Sequence, residues 1–296
     1  MAASVLFDAP GPKTVARHRL YTIISSMVLL VIAAGILFQL ERKGQFAYAL
    51  WEPFVTPGIV QLLLKATGQT LAAAAIAILC ALALGMLLGT GKLSDHRAVR
   101  WPAWTIVEFF RAVPLLLVII ATWYFIGAQP GLTGFVALVL GLILYNAAVF
   151  AEILRAGINA VPNGQSEAAF AIGMTKSAVM RIILLPQAVK IMLPSLISQA
   201  IVALKDTSLG YAVLAPGLTY AGKSVFRTFN NTIQTAIVLA LIYIIVNLFL
   251  TWLATLAQKR YVGERPGEIA AAQPDGGASG AGGGASGAGG GALSGF

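Results

Sequence analysis

"GQSEAAFAIGMTKSAVMRIILLPQA", residues 164–188, is a polar, punctuated stretch between two strongly apolar runs. Its residues predict a short helix followed by a second one. Asn163 or Ser166 can cap the first, whose body is Glu167, Ala168, Ala169, Phe170, Ala171 and Ile172. Gly173 stops it, as glycine does just past a helix end. Thr175 can cap the next helix, where Val179, Ile182 and Ile183 alternate with Lys176 and Arg181. Pro186 and Pro194 then bend the chain back into the apolar run. The product is a short helix held across one face and braced by a second. It either rests on lipid headgroups as an interfacial helix or is gripped by another protein.

The surroundings set the class. The chain has 296 residues, 58% hydrophobic and only 10% charged, where a soluble domain carries about a quarter charged residues. Six apolar runs approach the ~20 residues that cross a bilayer: roughly 21–40, 66–90, 113–127, 133–154, 191–216 and 232–257. Runs of that length exclude a large soluble helical core. The expected fold is an all-α integral membrane protein with about six transmembrane helices. The first run follows Arg17 and Arg19, yet it is long for a signal peptide, and "FQLERKG" (38–44) has no small-residue cleavage site. It reads as a retained anchor preceded by a tail, residues 1–20.

Lys and Arg in the connections fix the orientation. With the N-terminus inside, the inner segments hold thirteen of them: Lys13, Arg17, Arg19; Lys92, Arg97, Arg100; Arg155, Lys176, Arg181, Lys190; Lys259, Arg260 and Arg265. The outer segments hold four, namely Arg42, Lys43, Lys223 and Arg227. Both termini are therefore expected in the cytoplasm, and residues 164–188 form the longest internal connection. The net charge of +9 follows from that bias and builds no basic face for nucleic acid. Residues 261–296, with "GASGAGG" at 277–283 repeated at 284–290, bury almost nothing and read as a flexible tail.

Catalytic and metal chemistry find no support. Cys80 is alone, so no intrachain disulfide or cysteine-rich metal site is possible. His18 and His96 lie in polar connections away from clustered carboxylates. "GLTYAGKS" (217–224) has the P-loop spacing of Gly217, Gly222, Lys223 and Ser224. It sits in a short outer loop with no α/β domain after it, so no nucleotide is expected there.

Polar residues within the spans are the candidates for a path. Lys205 and Asp206 lie inside the fifth run, where a charge costs about 2.5–3.5 kcal/mol at a helix centre. They either neutralise each other or a neighbouring helix, or they face a polar cavity together with Thr207 and Ser208. A zwitterionic amino acid would find a partner for each of its charges there. Asn146 in the fourth run can glue helices together or line the path. Glu108 with Arg111, and Glu152 with Arg155, are spaced i,i+3 and suit structural latches. Gly85 and Gly89 form a GxxxG step that permits close helix approach.

The punctuation of residues 164–188 is also a family signature. Glu167-Ala168-Ala169, Gly173 and then Ile183-x-Leu185-Pro186 resemble the EAA motif of importer-type ABC permeases, with matching spacing. "VEFFRAVPLLLVII" (107–120), "YNAAVFAEILRAGINAVPNGQ" (145–165) and "ALKDTSLGY" (203–211) are similar to segments of the polar amino-acid uptake subfamily. Ala112 departs from the family's usual glycine, and Ser166 from a larger residue. The resemblance covers about residues 60 to 260, with the EAA loop at about 163–186. It implies a five-helix permease core to which the span 21–40 is an addition.

What the resemblance implies about function is specific. Glu167, Ala168, Ala169 and Gly173 would belong to a coupling helix that docks in a groove of an ATP-binding subunit. The chain would bind no cofactor itself, with ATP and magnesium held by a pair of separate ATPase subunits. Its other partners would be a second permease subunit, identical or paralogous, an extracytoplasmic amino-acid-binding protein and the lipid of a bacterial plasma membrane. Substrate would move inward by alternating access, along a path including Lys205, Asp206, Thr207, Ser208 and Asn146. "LKDTSLGY" (204–211) most resembles glutamate-type permeases, so a polar amino acid, glutamate or a relative, is the expected substrate. A secondary transporter or channel acting alone predicts paired inverted repeats of broken helices, and the sequence contains none. A membrane-anchored assembly protein would make the EAA spacing a coincidence.

Overall fold

The computed structural model describes residues 12–262; the expected tails fall largely outside the described residues. Those residues are helical almost throughout. Helix α1 (Pro12–Arg42) leads through a short helix α2 (Tyr48–Trp51) and a 3₁₀ turn (Glu52–Val55) into α3 (Pro57–Lys92). Helices α4 (Arg97–Ala112), α5 (Leu115–Phe125) and α6 (Leu132–Asn159) follow. Then come α7 (Asn163–Ala171), the single turn α8 (Lys176–Ala178) and a widened π turn (Val179–Leu184). Helix α9 (Leu185–Asp206) tightens into a 3₁₀ stretch (Thr207–Val213), before α10 (Leu218–Phe229) and α11 (Thr232–Val262). Five of these elements are long and apolar enough to cross a membrane, and the bent pair α4–α5 makes a sixth. The chain is a multi-pass membrane protein.

Three expectations about the spans are corrected. The run 113–127 is not a full span, because α5 has only 11 residues. The polar connection before it is a 16-residue helix, α4, which meets α5 at 105°. Pro114 causes the bend: Val113 before it is held extended (φ −85°, ψ 131°) by the steric restriction on pre-proline residues. Glu108 and Arg111 consequently sit on the last turns of α4. The second span begins earlier than residue 66, at Pro57. The fifth ends as helix before 216, since Leu214 is left-handed at φ 53°. Pro186, lacking an N–H, sits just past the π turn, where the regular ladder cannot be completed.

Helix α6 is the central post. In its most apolar stretch 61% of residues are buried, against none in α1. α3 lies against it through small residues, with Ala73, Ala77 and Ala81 fully buried. The GxxxG step is the point of closest approach. A Cβ on Gly85 would stand 2.7 Å from Phe150 Cβ and 2.8 Å from the Ala147 carbonyl, and one on Gly89 would stand 2.9 Å from the Ala151 carbonyl. Lipid offers no hydrophobic force to join helices, so such van der Waals contact is a main source of their cohesion. Buried polar groups fasten the opposite end of the bundle from α7. Asn231 Nδ2 donates to the Leu50 carbonyl at 2.9 Å, and Gln234 Nε2 donates to the Gln45 carbonyl.

Replacing Gly85 by Leu is expected to lower the thermal stability of the purified chain in detergent by an amount equivalent to about 1–3 kcal/mol. Gly35→Leu on α1, where an added Cβ would meet no other element within 4 Å among the described residues, is expected to change nothing. Equal midpoints for both variants would show that the α3–α6 contact does not hold the bundle.

Candidate functional site: a projecting helix, an ionic knot and two polar cavities

Helix α7 lies beyond the end of α6 and packs on the π turn through Ala169, which is 5% exposed. Neither expected side chain caps its start. Pro162 occupies the capping position, and the Ser166 hydroxyl donates to the Asn163 carbonyl at 2.8 Å instead. The other end is closed as expected. Gly173 is left-handed at φ 85°, its N–H reaches the Phe170 carbonyl at 2.9 Å, and the Met174 N–H reaches the Ala169 carbonyl at 3.1 Å. That pair of bonds is a Schellman closure. The Thr175 hydroxyl accepts from the Ala178 N–H, so the second cap is also present. Glu167, Ala168, Phe170 and Ile172 are left exposed, which presents both a charge and an apolar surface outward. Lys176 pairs with Asp95 in the turn after α3 and ties α8 to the bundle. The hydrogen bond and charge of the Lys176 ammonium hold the Asp95 carboxyl below the usual carboxylate range. This tether is therefore complete at neutral pH and fails only in acid, as pH falls through the lowered value.

At the same end, the two i,i+3 pairs form one knot around Lys92. Lys92 Nζ donates to Glu152 at 2.7 Å and to Glu108 at 3.0 Å, and its side chain is 5% exposed. Arg111 joins Glu108 at 3.2 Å, and Arg155 joins Glu152. The latches expected on separate helices thus bind α3, α4 and α6 together. Lys92 was not singled out from sequence, although it continues the face of Gly85 and Gly89 at helical spacing.

The adjacent pair in the fifth span divides. Asp206 lines a cavity of about 630 Å³ with Arg111, Tyr145 and Gln199 as its other polar walls. Lys205 lines a separate groove of about 500 Å³, with Ser208, Tyr243 and Asn247. Neighbouring positions on a helix point about 100° apart, which is why the two line different cavities. Thr207 is buried and donates to the Leu204 carbonyl at 2.6 Å. Asn146 is 1% exposed; its Nδ2 donates to the Leu142 carbonyl and its Oδ1 accepts from Gln199 Nε2, both at 2.9 Å. It joins α6 to α9 and aims Gln199 from behind. Tyr145, Gln199 and Arg111 were missed as cavity residues, yet Gln199 lies seven residues before Asp206, on the same helix face.

The P-loop-like spacing has no phosphate geometry. Residues from Leu218 are helical, and the Leu218 N–H is committed to Thr70 Oγ1 at 2.9 Å. A Cβ on Gly222 would meet Leu239 Cδ1 at 2.3 Å, so this glycine serves helix packing. Lys223 Nζ lies over the Tyr211 ring, 6.0 Å from its centroid.

Comparison with known proteins agrees with this architecture. Residues 81–263 match the family of binding-protein-dependent transport system inner membrane components. The chain belongs to that family. It is 39% identical over 227 residues to the glutamate transport system permease protein GluD of Corynebacterium glutamicum, covering 75% of this chain and 83% of that one. It is 32% identical over 193 residues to the L-cystine transport system permease protein TcyL of Bacillus subtilis, covering 62% and 81%. Among solved structures, an amino acid ABC transporter crystallised with histidines superposes with a TM-score of 0.64 at 29% identity, over 68% of this chain and 94% of that one. A family member of this kind is a permease component, without catalytic chemistry of its own.

Lys92→Met leaves Glu152, whose side chain is 17% exposed, without its most buried cation. Breaking such a pair is expected to cost about 2–4 kcal/mol, below the full range for deeply buried pairs. The double variant Lys92→Met/Glu152→Gln is expected to recover part of that loss in thermal unfolding. Purely additive losses would show that the two residues do not interact.

Proposed function

We propose that this chain is the membrane-spanning subunit of an ATP-driven, binding-protein-dependent importer of a polar amino acid, glutamate or a close relative. The observation that carries the reading is a short helix, α7, closed at Gly173 and projecting from a bundle that contains a charged cavity. In this reading the α7 end is cytoplasmic, as the Lys and Arg distribution requires, with both termini on that side of a bacterial plasma membrane. Glu167, Ala168, Ala169 and Gly173 form the docking element for an ATPase subunit. ATP and magnesium belong to a pair of those subunits, and this chain binds no cofactor. A second permease subunit and an extracytoplasmic amino-acid-binding protein complete the assembly. Closure of the ATPases drives α7, and the braced π turn passes that motion into α9, whose far end carries Asp206.

The cavity chemistry suits a zwitterion. Asp206 offers a carboxylate to the substrate ammonium, and Arg111 offers a planar fork to its carboxylate. Tyr145 and Gln199 supply neutral hydrogen-bonding groups on the same wall. Lys205, with Ser208, faces a second groove, where Tyr243 Oη and Asn247 Oδ1 are buried without a partner among the described residues. That groove adds a cation to the path at a different angle around α9. Thr207 and Asn146 act from within the wall. An acidic substrate fits the Arg111 cation of the Asp206 cavity, and the similarity to GluD favours the same class.

Two experiments test this reading. Glu167→Lys and Gly173→Trp are expected to leave membrane insertion intact while ATP hydrolysis no longer drives transport in proteoliposomes with the cognate ATPase. The second variant forces a side chain into a left-handed position, at about 1–2 kcal/mol. Normal transport by both would remove α7 from coupling. In cells lacking the gene, a labelled amino-acid panel should be taken up with wild type restored. Asp206→Asn is expected to raise the apparent KM at least about ten-fold, the loss of one charged hydrogen bond, with a smaller effect for Lys205→Ala. Unchanged kinetics in both variants would take these residues out of the path. An uptake defect confined to sugars or peptides would exclude amino acids.

A further inference from the structure

The ionic knot borders a cleft of about 600 Å³ between the end of α3, α4 and the end of α6. Within the knot, two carboxylates are shared among three cations, Lys92, Arg111 and Arg155. Arg100 lines the same cleft and is exposed, with no acidic partner among the described residues. Four positive groups against two negative ones leave the cleft two charges in excess. Its remaining wall is aromatic. Trp101 and Trp104 meet edge to face at 6.1 Å and stay 62% and 49% exposed. An excess of cations beside bare indole rings has no use for the protein's own acids, which are already engaged.

The place of this cleft identifies what fits it. Helix α4 is amphipathic and turns 105° away from α5, so it does not continue along that span. It lies where α3 and α6 end, at the α7 side of the bundle. Tryptophans gather at the membrane–water boundary, amphipathic helices with basic faces lie in that plane, and basic pockets between spans receive anionic headgroups. We propose that this cleft binds the phosphate of an anionic membrane phospholipid, with Arg100 as its free cation and Trp101 and Trp104 packed along the glycerol and the first acyl carbons. Arg155 flanks the phosphate from the knot. A free phosphate ion would satisfy the guanidinium groups and leave the indoles idle, so a lipid is the better match to both walls. Because Arg111 and the Glu152 knot also join α3, α4 and α6, a lipid seated here would brace the junction of those helices. This proposal rests on the membrane setting alone and stands apart from the transport reading.

The test titrates the full-length chain, purified in a neutral detergent, with phosphatidylglycerol, phosphatidylcholine or glycerol 3-phosphate, and reads bound ligand by native mass spectrometry. Wild type is expected to retain phosphatidylglycerol in preference to phosphatidylcholine. Arg100→Ala is expected to weaken phosphatidylglycerol about five-fold, the change for one cation lost beside an anionic lipid, and to leave phosphatidylcholine unaffected; Arg100→Lys should keep most of the affinity. Trp104→Ala should weaken the lipid further without altering the response to glycerol 3-phosphate. Arg100 is exposed and makes no ion pair, so unchanged thermal unfolding is expected to accompany these effects. Equal retention of the two lipids, or an Arg100→Ala chain that holds phosphatidylglycerol like wild type, overturns the site. Glycerol 3-phosphate displacing phosphatidylglycerol at matching concentration overturns the lipid as the occupant.

Discussion

Everything at the α7 end depends on how closely α3 can approach α6, and that distance is set by two missing side chains. With hydrogen at Gly85 and Gly89, the backbone of α3 reaches the carbonyls of Ala147 and Ala151. Three residues beyond Gly89 on the same face stands Lys92, whose ammonium then falls between Glu108 and Glu152. Close packing therefore does more than add dispersion energy. It delivers a buried cation to two carboxylates from different helices, at distances where removing one member leaves the others unsatisfied.

The knot in turn fixes α4 across the end of the bundle, and Arg111 connects it to the Asp206 cavity. One guanidinium thus touches two regions, the ionic cleft and the polar cavity within the spans. Movement of α4 relative to α6 would disturb both. On the other side, the Asp95–Lys176 tether and the packing of α7 on the π turn link the projecting helix to the ends of α3 and α9. The route from α7 to the cavity is continuous in packed elements and requires no long loop.

Much of this was legible in the residues. The end of α7 followed from Gly173, because a left-handed closure leaves a strong local signal. Gly85 and Gly89 were visible as a step for close contact. Helix α4 was not, since a polar segment with two tryptophans has the composition of a connection, and an 11-residue α5 can pass for a full span only if Pro114 is overlooked. The sequence lets Lys205 and Asp206 neutralise each other or a neighbouring helix, or face one polar cavity together, whereas adjacency on a helix separates side chains around the axis. The useful spacing was that of Gln199 and Asp206, seven residues apart. The N-terminal cap failed for a simpler reason: Pro162 sits at the capping position, and its fixed φ begins the helix without a side-chain acceptor.

Helix α1 has a different relation to the membrane from every other span. Its apolar part, residues 20–40, is about 31 Å long at 1.5 Å per residue, close to the ~30 Å of a bilayer's hydrocarbon. With no buried residue along that stretch, no other helix among the described residues of this chain sets its inclination, which is left open to bilayer thickness. A thinner bilayer would lean it over and a thicker one would hold it upright. The strap at residues 44–51 is where any such leaning meets resistance, because Gln45 and Leu50 are hydrogen-bonded to Gln234 and Asn231 at the head of α11. The rest of the bundle can keep its packing while this one helix follows the lipid.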